Sequence, residues 1–153
     1  MFHQSERFSE EITLVLFDID HFKLINDTYG HGAGDQVLRD IGTLLRLHVR
    51  KSDLPARLGG DEFGVLLYHT GIDQAEIFIE KLMDSMRTQD FYYDGFQLKV
   101  GISAGVAQYI KPMTTPQALY HAADMALYQA KKEGRGRYSV YSESKLSQEL
   151  KTS

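Results

Sequence analysis

The run Ile12-Thr-Leu-Val-Leu-Phe-Asp-Ile19 constrains the fold more than any other stretch of the chain. It is rich in β-branched and aromatic residues, about one strand long, and apolar almost without interruption. A run of that kind is expected to form a strand buried on both faces, so structure must cover it from two sides. The strand ends in Asp18-Ile-Asp20, which places carboxylates at a sheet's C-terminal edge, where a metal or phosphate can be approached. Asp20 has a second reading, as the cap of a helix beginning at His21 or Phe22. A chain of 153 residues is long enough for one such layered domain and too short for two. Its longest apolar run, Leu14 to Phe17, cannot span a bilayer, and the mostly polar first eleven residues lack the apolar core of an export signal. No cysteine is present, which excludes disulfides and thiolate metal sites; the expected compartment is the cytoplasm, with no membrane contact by this module.

Helical and strand signals alternate after the first strand. Val37, Leu38, Ile41, Leu44, Leu45 and His48 recur at three- and four-residue steps, predicting a helix between Gly34 and Arg50. Ala56 to Leu58, the turn Gly-Gly-Asp-Glu, and Phe63 to Tyr68 read as a hairpin. A helix follows over 73–87, with Asp73 as its cap. Strand signals run from Phe96 to Tyr109, as one long bent strand. Thr115-Pro116 is a helix start, threonine capping and proline in the first turn, and that helix is expected to run to Lys132 and stop at Gly134. Tyr138 to Tyr141 closes the order as a short strand, giving an α+β or mixed-sheet domain.

Four clusters carry possible chemistry. Asp18 is the first. The second is Gly59-Gly60-Asp61-Glu62: glycines permit positive φ and close ligand approach, and carboxylates hold hard cations through oxygen. Acids on neighbouring strands would suit phosphoryl transfer with two metals, whereas a solvated hairpin turn is the plainer alternative. The third joins Asn26 and Asp35 through a glycine-rich stretch containing His31. Aspartate can accept from the N1–H and amine of guanine, and an asparagine amide can meet its remaining edge; an Asx-turn at Asn26 and a cap at Asp35 are the structural alternatives. The fourth is Lys131-Lys-Glu-Gly-Arg-Gly-Arg137, either a phosphate clamp or cations that complement a helix C-terminus. Seventeen basic against 21 acidic residues give a net charge of −4, which argues against a general nucleic-acid binder and leaves room for one local anion site.

Taken together, these clusters resemble the GGDEF domain of bacterial diguanylate cyclases. The matching motifs are Phe-Asp-Ile-Asp-His-Phe-Lys (17–23), Asn-Asp-Thr-Tyr-Gly-His-Gly-Ala-Gly-Asp (26–35), Arg-Leu-Gly-Gly-Asp-Glu-Phe (57–63), Ile-Ser-Ala-Gly-Val-Ala (102–107) and Ala-Asp-Met-Ala-Leu-Tyr-Gln-Ala-Lys-Lys-Glu-Gly-Arg (123–135). The resemblance implies a mainly antiparallel sheet of about five strands flanked by helices, like nucleotide cyclases and polymerase palms. It also implies condensation of two GTP into cyclic di-GMP and two pyrophosphates across a homodimer of facing domains. Asp18, Asp61 and Glu62 would hold Mg²⁺ or Mn²⁺, two per site, with the Ile19 carbonyl. Glu62 would also assist catalysis with Asp61, and Lys23 would stabilise phosphate charge. Asn26, His31 and Asp35 would hold guanine or ribose, and Lys131 and Arg135 the terminal phosphates.

Arg50-Lys-Ser-Asp53 stands where the resemblance places an inhibitory site for the product, with Arg50 and Asp53 as its binding pair. Lys81 aligns where some relatives supply a second arginine, and lysine cannot reproduce a bidentate contact, so weaker inhibition is expected. A frequent Gly-Arg-Asn-Arg is here Gly-Arg-Gly-Arg, with Gly136 in place of asparagine and a small expected effect. The expected organisation is a truncated or divergent N-terminal segment over 1–11, the GGDEF domain over 12–141, and a connector over 142–153. That connector carries Leu146 and Leu150 at helical spacing and resembles one leading into a phosphodiesterase (EAL) domain; an attached sensor is equally in keeping with the family. The alternative function is a catalytically idle module that senses GTP or cyclic di-GMP for a partner domain.

Overall fold

The computed structural model describes residues 11–142; the first ten residues and the tail after Ser142, with Leu146 and Leu150, lie outside the described residues. The run singled out above is strand β1 (Ile12–Ile19), and it is buried on both faces. Val15, Phe17 and Ile19 enter one apolar cluster, whereas Ile12 and Leu16 enter another on the opposite face. β1 can be apolar at nearly every position because it is the middle strand of five, in the order β2-β3-β1-β6-β7. β2 (Leu54–Gly59) and β3 (Glu62–Tyr68) form the predicted hairpin, and β3 and β6 (Ile102–Gln108) pair antiparallel with the two sides of β1. Only β7 (Tyr138–Val140) runs parallel to its neighbour, so the sheet is mainly antiparallel, as expected.

Helices α2 (His31–His48) and α3 (Ile72–Thr88) cover one face through Val37, Ile41, Leu45, Ile79 and Leu82. Helix α4 (Pro116–Lys132) covers the other through Leu119, Ala123 and Leu127. Its start is the predicted one: Thr115 Oγ accepts the Ala118 N–H at 3.2 Å, and Pro116 occupies the first turn. It also ends where predicted, with Gly134 at φ 127° after the last turn.

Four local expectations change. The helix expected between Gly34 and Arg50 begins earlier, as α2 from His31, and follows a separate short helix, α1 (Phe22–Tyr29), from which Gly30 at φ 93° divides it. Asp35 therefore lies inside α2 rather than at its cap. Helix α3 is capped at Gly71 and not at Asp73, which sits in the first turn, where its charge still complements the helix dipole. Gly71 fits because the Glu11 carboxylate occupies the space a side chain there would need. Finally, the long bent strand is split at Val100-Gly101. Its first part, β5 (Phe96–Leu98), folds back on β4 (Phe91–Tyr93) through Asp94-Gly95, both at positive φ.

Candidate active site

The C-terminal end of β1, the β2–β3 turn and one side of α4 converge. Register puts Asp18 directly across from Glu62. The Ile19 N–H donates to the Asp61 backbone oxygen at 3.3 Å, which draws the turn onto the end of β1. Arg57 fixes the turn from its other side, donating through Nε and Nη2 to the Gly60 carbonyl at 3.1 and 2.8 Å beside a register shift between Arg57 and Gly59. Neither Gly59 nor Gly60 uses the positive φ anticipated for them. A methyl group on either would meet nothing within 4 Å, so what these glycines supply is open space next to the acids.

Asp18 is only 8% exposed. Its Oδ2 receives the Lys131 ammonium from the last turn of α4, while its Oδ1 is buried with no hydrogen-bond partner. Glu62 Oε1 accepts from the Tyr120 hydroxyl at 2.7 Å. The bond to Glu62, burial, and the charges of Glu62, Asp124 and Asp18 push the Tyr120 phenol up to about 12, so it stays a neutral donor throughout the physiological range. Among the described residues no three metal-ligating side chains already converge. The donor set nevertheless fits a hard cation: Asp18 presents an unpartnered buried oxygen, Glu62 stands opposite it in the register, the Asp61 backbone is bonded to the end of β1, and Mg²⁺ usually completes its shell with water and substrate phosphates.

Asp20 is not a helix cap. His21 holds that position at φ 55° with no side-chain bond, and Asp20 instead ties three segments together. Ser103 Oγ donates to its Oδ1 at 2.6 Å, the Gly136 N–H donates to its Oδ2 at 3.0 Å, and its own N–H donates to the Gly101 carbonyl at 2.8 Å. These bonds anchor the turn after α4, where Gly134, Arg135 and Gly136 all have positive φ. Gly136, at φ 60°, occupies a conformation that asparagine also tolerates, which accounts for the exchange noted in the sequence. Removing the fully buried hydroxyl with Ser103→Ala is expected to cost about 1–3 kcal/mol and to speed amide exchange at Gly136. Unchanged exchange there would show that the turn holds itself.

The remaining sequence candidates lie on α1 and α2. Asn26 Oδ1 is buried without a partner, in a notch that exists because residue 34 is glycine: a Cβ there would fall 1.9 Å from that oxygen. His31 and Asp35 are exposed one turn apart on α2, and Lys23 is exposed on α1. Tyr120 and Ser103 were not singled out by sequence, although both belong to elements that were.

Arg50 and Asp53 do meet, away from this cluster. The guanidinium donates to Asp53 through Nη2 at 3.0 Å and Nε at 3.3 Å, and also to the Tyr68 carbonyl and Thr70 Oγ1. The bond to Asp53 raises the already high pKa of Arg50. The pair lines a cleft of about 320 Å³, and Lys81 of α3 lines the same cleft with His48 and Phe78.

An antiparallel α+β domain with an acidic hairpin turn beside the end of its central strand is the class of structure these features define. The family model "Diguanylate cyclase, GGDEF domain" matches residues 2–137, and the chain belongs to that family. Diguanylate cyclase A of Treponema denticola is 38% identical over 131 residues, covering 86% of this chain and 35% of that protein. TpbB of Pseudomonas aeruginosa is 43% identical over 129 residues, covering 83% of this chain and 29% of that protein. The chain thus spans about a third of the length of these relatives. Among solved structures, the GGDEF domain of TpbB superposes with a TM-score of 0.86 at 38% identity, covering 92% of this chain and 83% of that one. The GGDEF domain of DgcB from Caulobacter crescentus, solved in complex with c-di-GMP, gives 0.85 at 28% identity, covering 90% and 82%. Among the described residues no helix is long and apolar enough to cross a membrane.

Proposed function

We propose that this chain is a diguanylate cyclase module that condenses two GTP into cyclic di-GMP, with two facing copies each presenting one nucleotide. The observation that carries this reading is the buried, unpartnered Asp18 Oδ1 across the register from Glu62, at an open Gly-Gly turn. A buried carboxylate oxygen left without a donor is costly unless a ligand satisfies it. Asp18, Asp61, Glu62 and the Ile19 carbonyl would hold Mg²⁺ or Mn²⁺, two per site, which when bound supplies charge neutralisation on the triphosphate. Asn26, His31 and Asp35 would orient guanine, the buried Asn26 oxygen accepting from it. Lys131 and Arg135 would take the terminal phosphates, and Lys23 the charge that grows on them. In the reaction each 3′-oxygen forms a bond to the partner nucleotide's α-phosphorus, the bond from that phosphorus to the β-phosphate oxygen breaks, and pyrophosphate leaves. The 3′-hydroxyl proton passes to an acid of the turn, Glu62 being our assignment. Positioning and charge neutralisation dominate such a transfer, which is what these groups offer.

The test is incubation with GTP and Mg²⁺ at several protein concentrations, with nucleotides separated by chromatography. Cyclic di-GMP formed with more than first-order dependence on protein supports the reading and the paired-copy mechanism together. GTP bound without turnover, even in a forced-dimer fusion, would replace it with the idle sensing module.

The Arg50 cleft is the proposed product-inhibition site. Arg50→Ala is expected to leave the initial rate within about two-fold and to weaken inhibition by added cyclic di-GMP about ten-fold or more, the scale of a lost charge-assisted bond. Inhibition equal to the parent's would move regulation to another surface.

A further inference from the structure

We propose that Tyr120 is a positioning residue for Glu62: its hydroxyl pins one oxygen of that carboxylate and so sets the direction in which the other is offered to a cation or a substrate hydroxyl. The inference rests on the cyclase reading and adds to it a residue outside the acidic turn. The 2.7 Å bond is the one hydrogen bond to the Glu62 side chain among the described residues. Without it, a half-buried glutamate beside two open glycines would sample several rotamers, and a carboxylate must be fixed to about half an ångström to serve a reaction.

Tyr120 is well placed to impose that order. It lies one residue after Leu119, which is buried in the cluster beneath α4, and one turn after the Thr115 cap and Pro116, which set where the helix begins. The ring borders an apolar cleft with Leu58, Pro116 and Leu119, while the hydroxyl reaches across to β3. At the other end of the same helix Lys131 engages Asp18. Helix α4 therefore grips both acids of the Asp18–Glu62 register pair, one from each end, and its seating on the sheet sets their geometry.

Tyr120→Phe removes the hydroxyl and keeps the ring; Tyr120→Leu removes both. Three quantities separate positioning from packing: the thermal midpoint, Mn²⁺ affinity read by the electron paramagnetic resonance of free Mn²⁺, and the split of kcat against KM for GTP. We expect Tyr120→Phe to keep the parental midpoint and KM, lower kcat about ten-fold, and weaken Mn²⁺ binding several-fold, in keeping with one lost hydrogen bond to a charged group. Parental kcat and Mn²⁺ affinity in Tyr120→Phe, with a defect only in Tyr120→Leu, would overturn the proposal and reduce Tyr120 to a packing residue. Glu62→Ala separates the two levels. If that variant binds Mn²⁺ and forms product like the parent, the cyclase site assignment itself fails; if it is impaired while Tyr120→Phe is not, only the positioning role fails.

Discussion

Gly105→Ala is expected to destabilise the domain by at least about 3 kcal/mol, the upper end of what overpacking usually costs. Gly105 lies on β6 where α4 crosses the sheet. A Cβ at this position would stand 2.2 Å from the Ala123 carbonyl oxygen, 2.3 Å from the Leu127 nitrogen and 2.8 Å from its Cα. All three are backbone atoms, so no rotamer change relieves the clash; the helix itself must move. The glycine is there for close approach and not for conformation, because its φ is not positive. Small residues on α4, among them Ala122, Ala123 and Ala126, complete the close packing. Since α4 also carries Lys131 and Tyr120, displacing it would pull both from the acids they hold. Urea unfolding measures the loss, with Gly60→Ala as the comparison: a methyl there meets nothing within 4 Å, and its cost should stay below about 1 kcal/mol. Equal midpoints for Gly105→Ala and the parent would mean that α4 rides higher on the sheet than described.

Which parts of this structure were legible in the sequence follows from how local their causes are. β1 declared itself because a central strand covered on both faces needs apolar residues at nearly every position. Helix α4 declared itself through Thr115-Pro116 and Gly134, signals that act within one turn. Val37 to His48 declared the body of α2, but not its first turn, because His31 to Asp35 is glycine-rich and a single residue, Gly30 at φ 93°, makes the break from α1. Asp94-Gly95 was a readable hairpin turn, yet its strands, Phe91–Tyr93 and Phe96–Leu98, are too short to display alternation. The acids of the site were visible as residue types, but what holds them was not. Tyr120 and Glu62 are 58 positions apart, and Ser103 and Asp20 are 83 apart. Pairings of that kind leave no periodic trace; they appear only once register and helix seating are known.

Asp18→Ala is expected to abolish cyclic di-GMP formation, by at least about 10²–10³-fold, while leaving the unfolding free energy within about 1 kcal/mol of the parent. The two halves of this expectation have one cause. Asp18 is buried, one of its oxygens has no partner, and its other is matched by a lysine whose side chain is one-third exposed. Deleting one member of a fully buried ion pair usually costs several kcal/mol because the survivor is stranded. Lys131, with 32% of its side chain exposed, can instead turn to water. What the substitution removes is therefore mostly a carboxylate that the fold holds at a desolvation cost, and such groups are kept for what they bind. Metal affinity should fall with activity, which Mn²⁺ binding would show without turnover. A stable Asp18→Ala protein that still makes product would remove Asp18 from the site. A loss of several kcal/mol would instead identify the Asp18–Lys131 pair as a structural tie between β1 and α4.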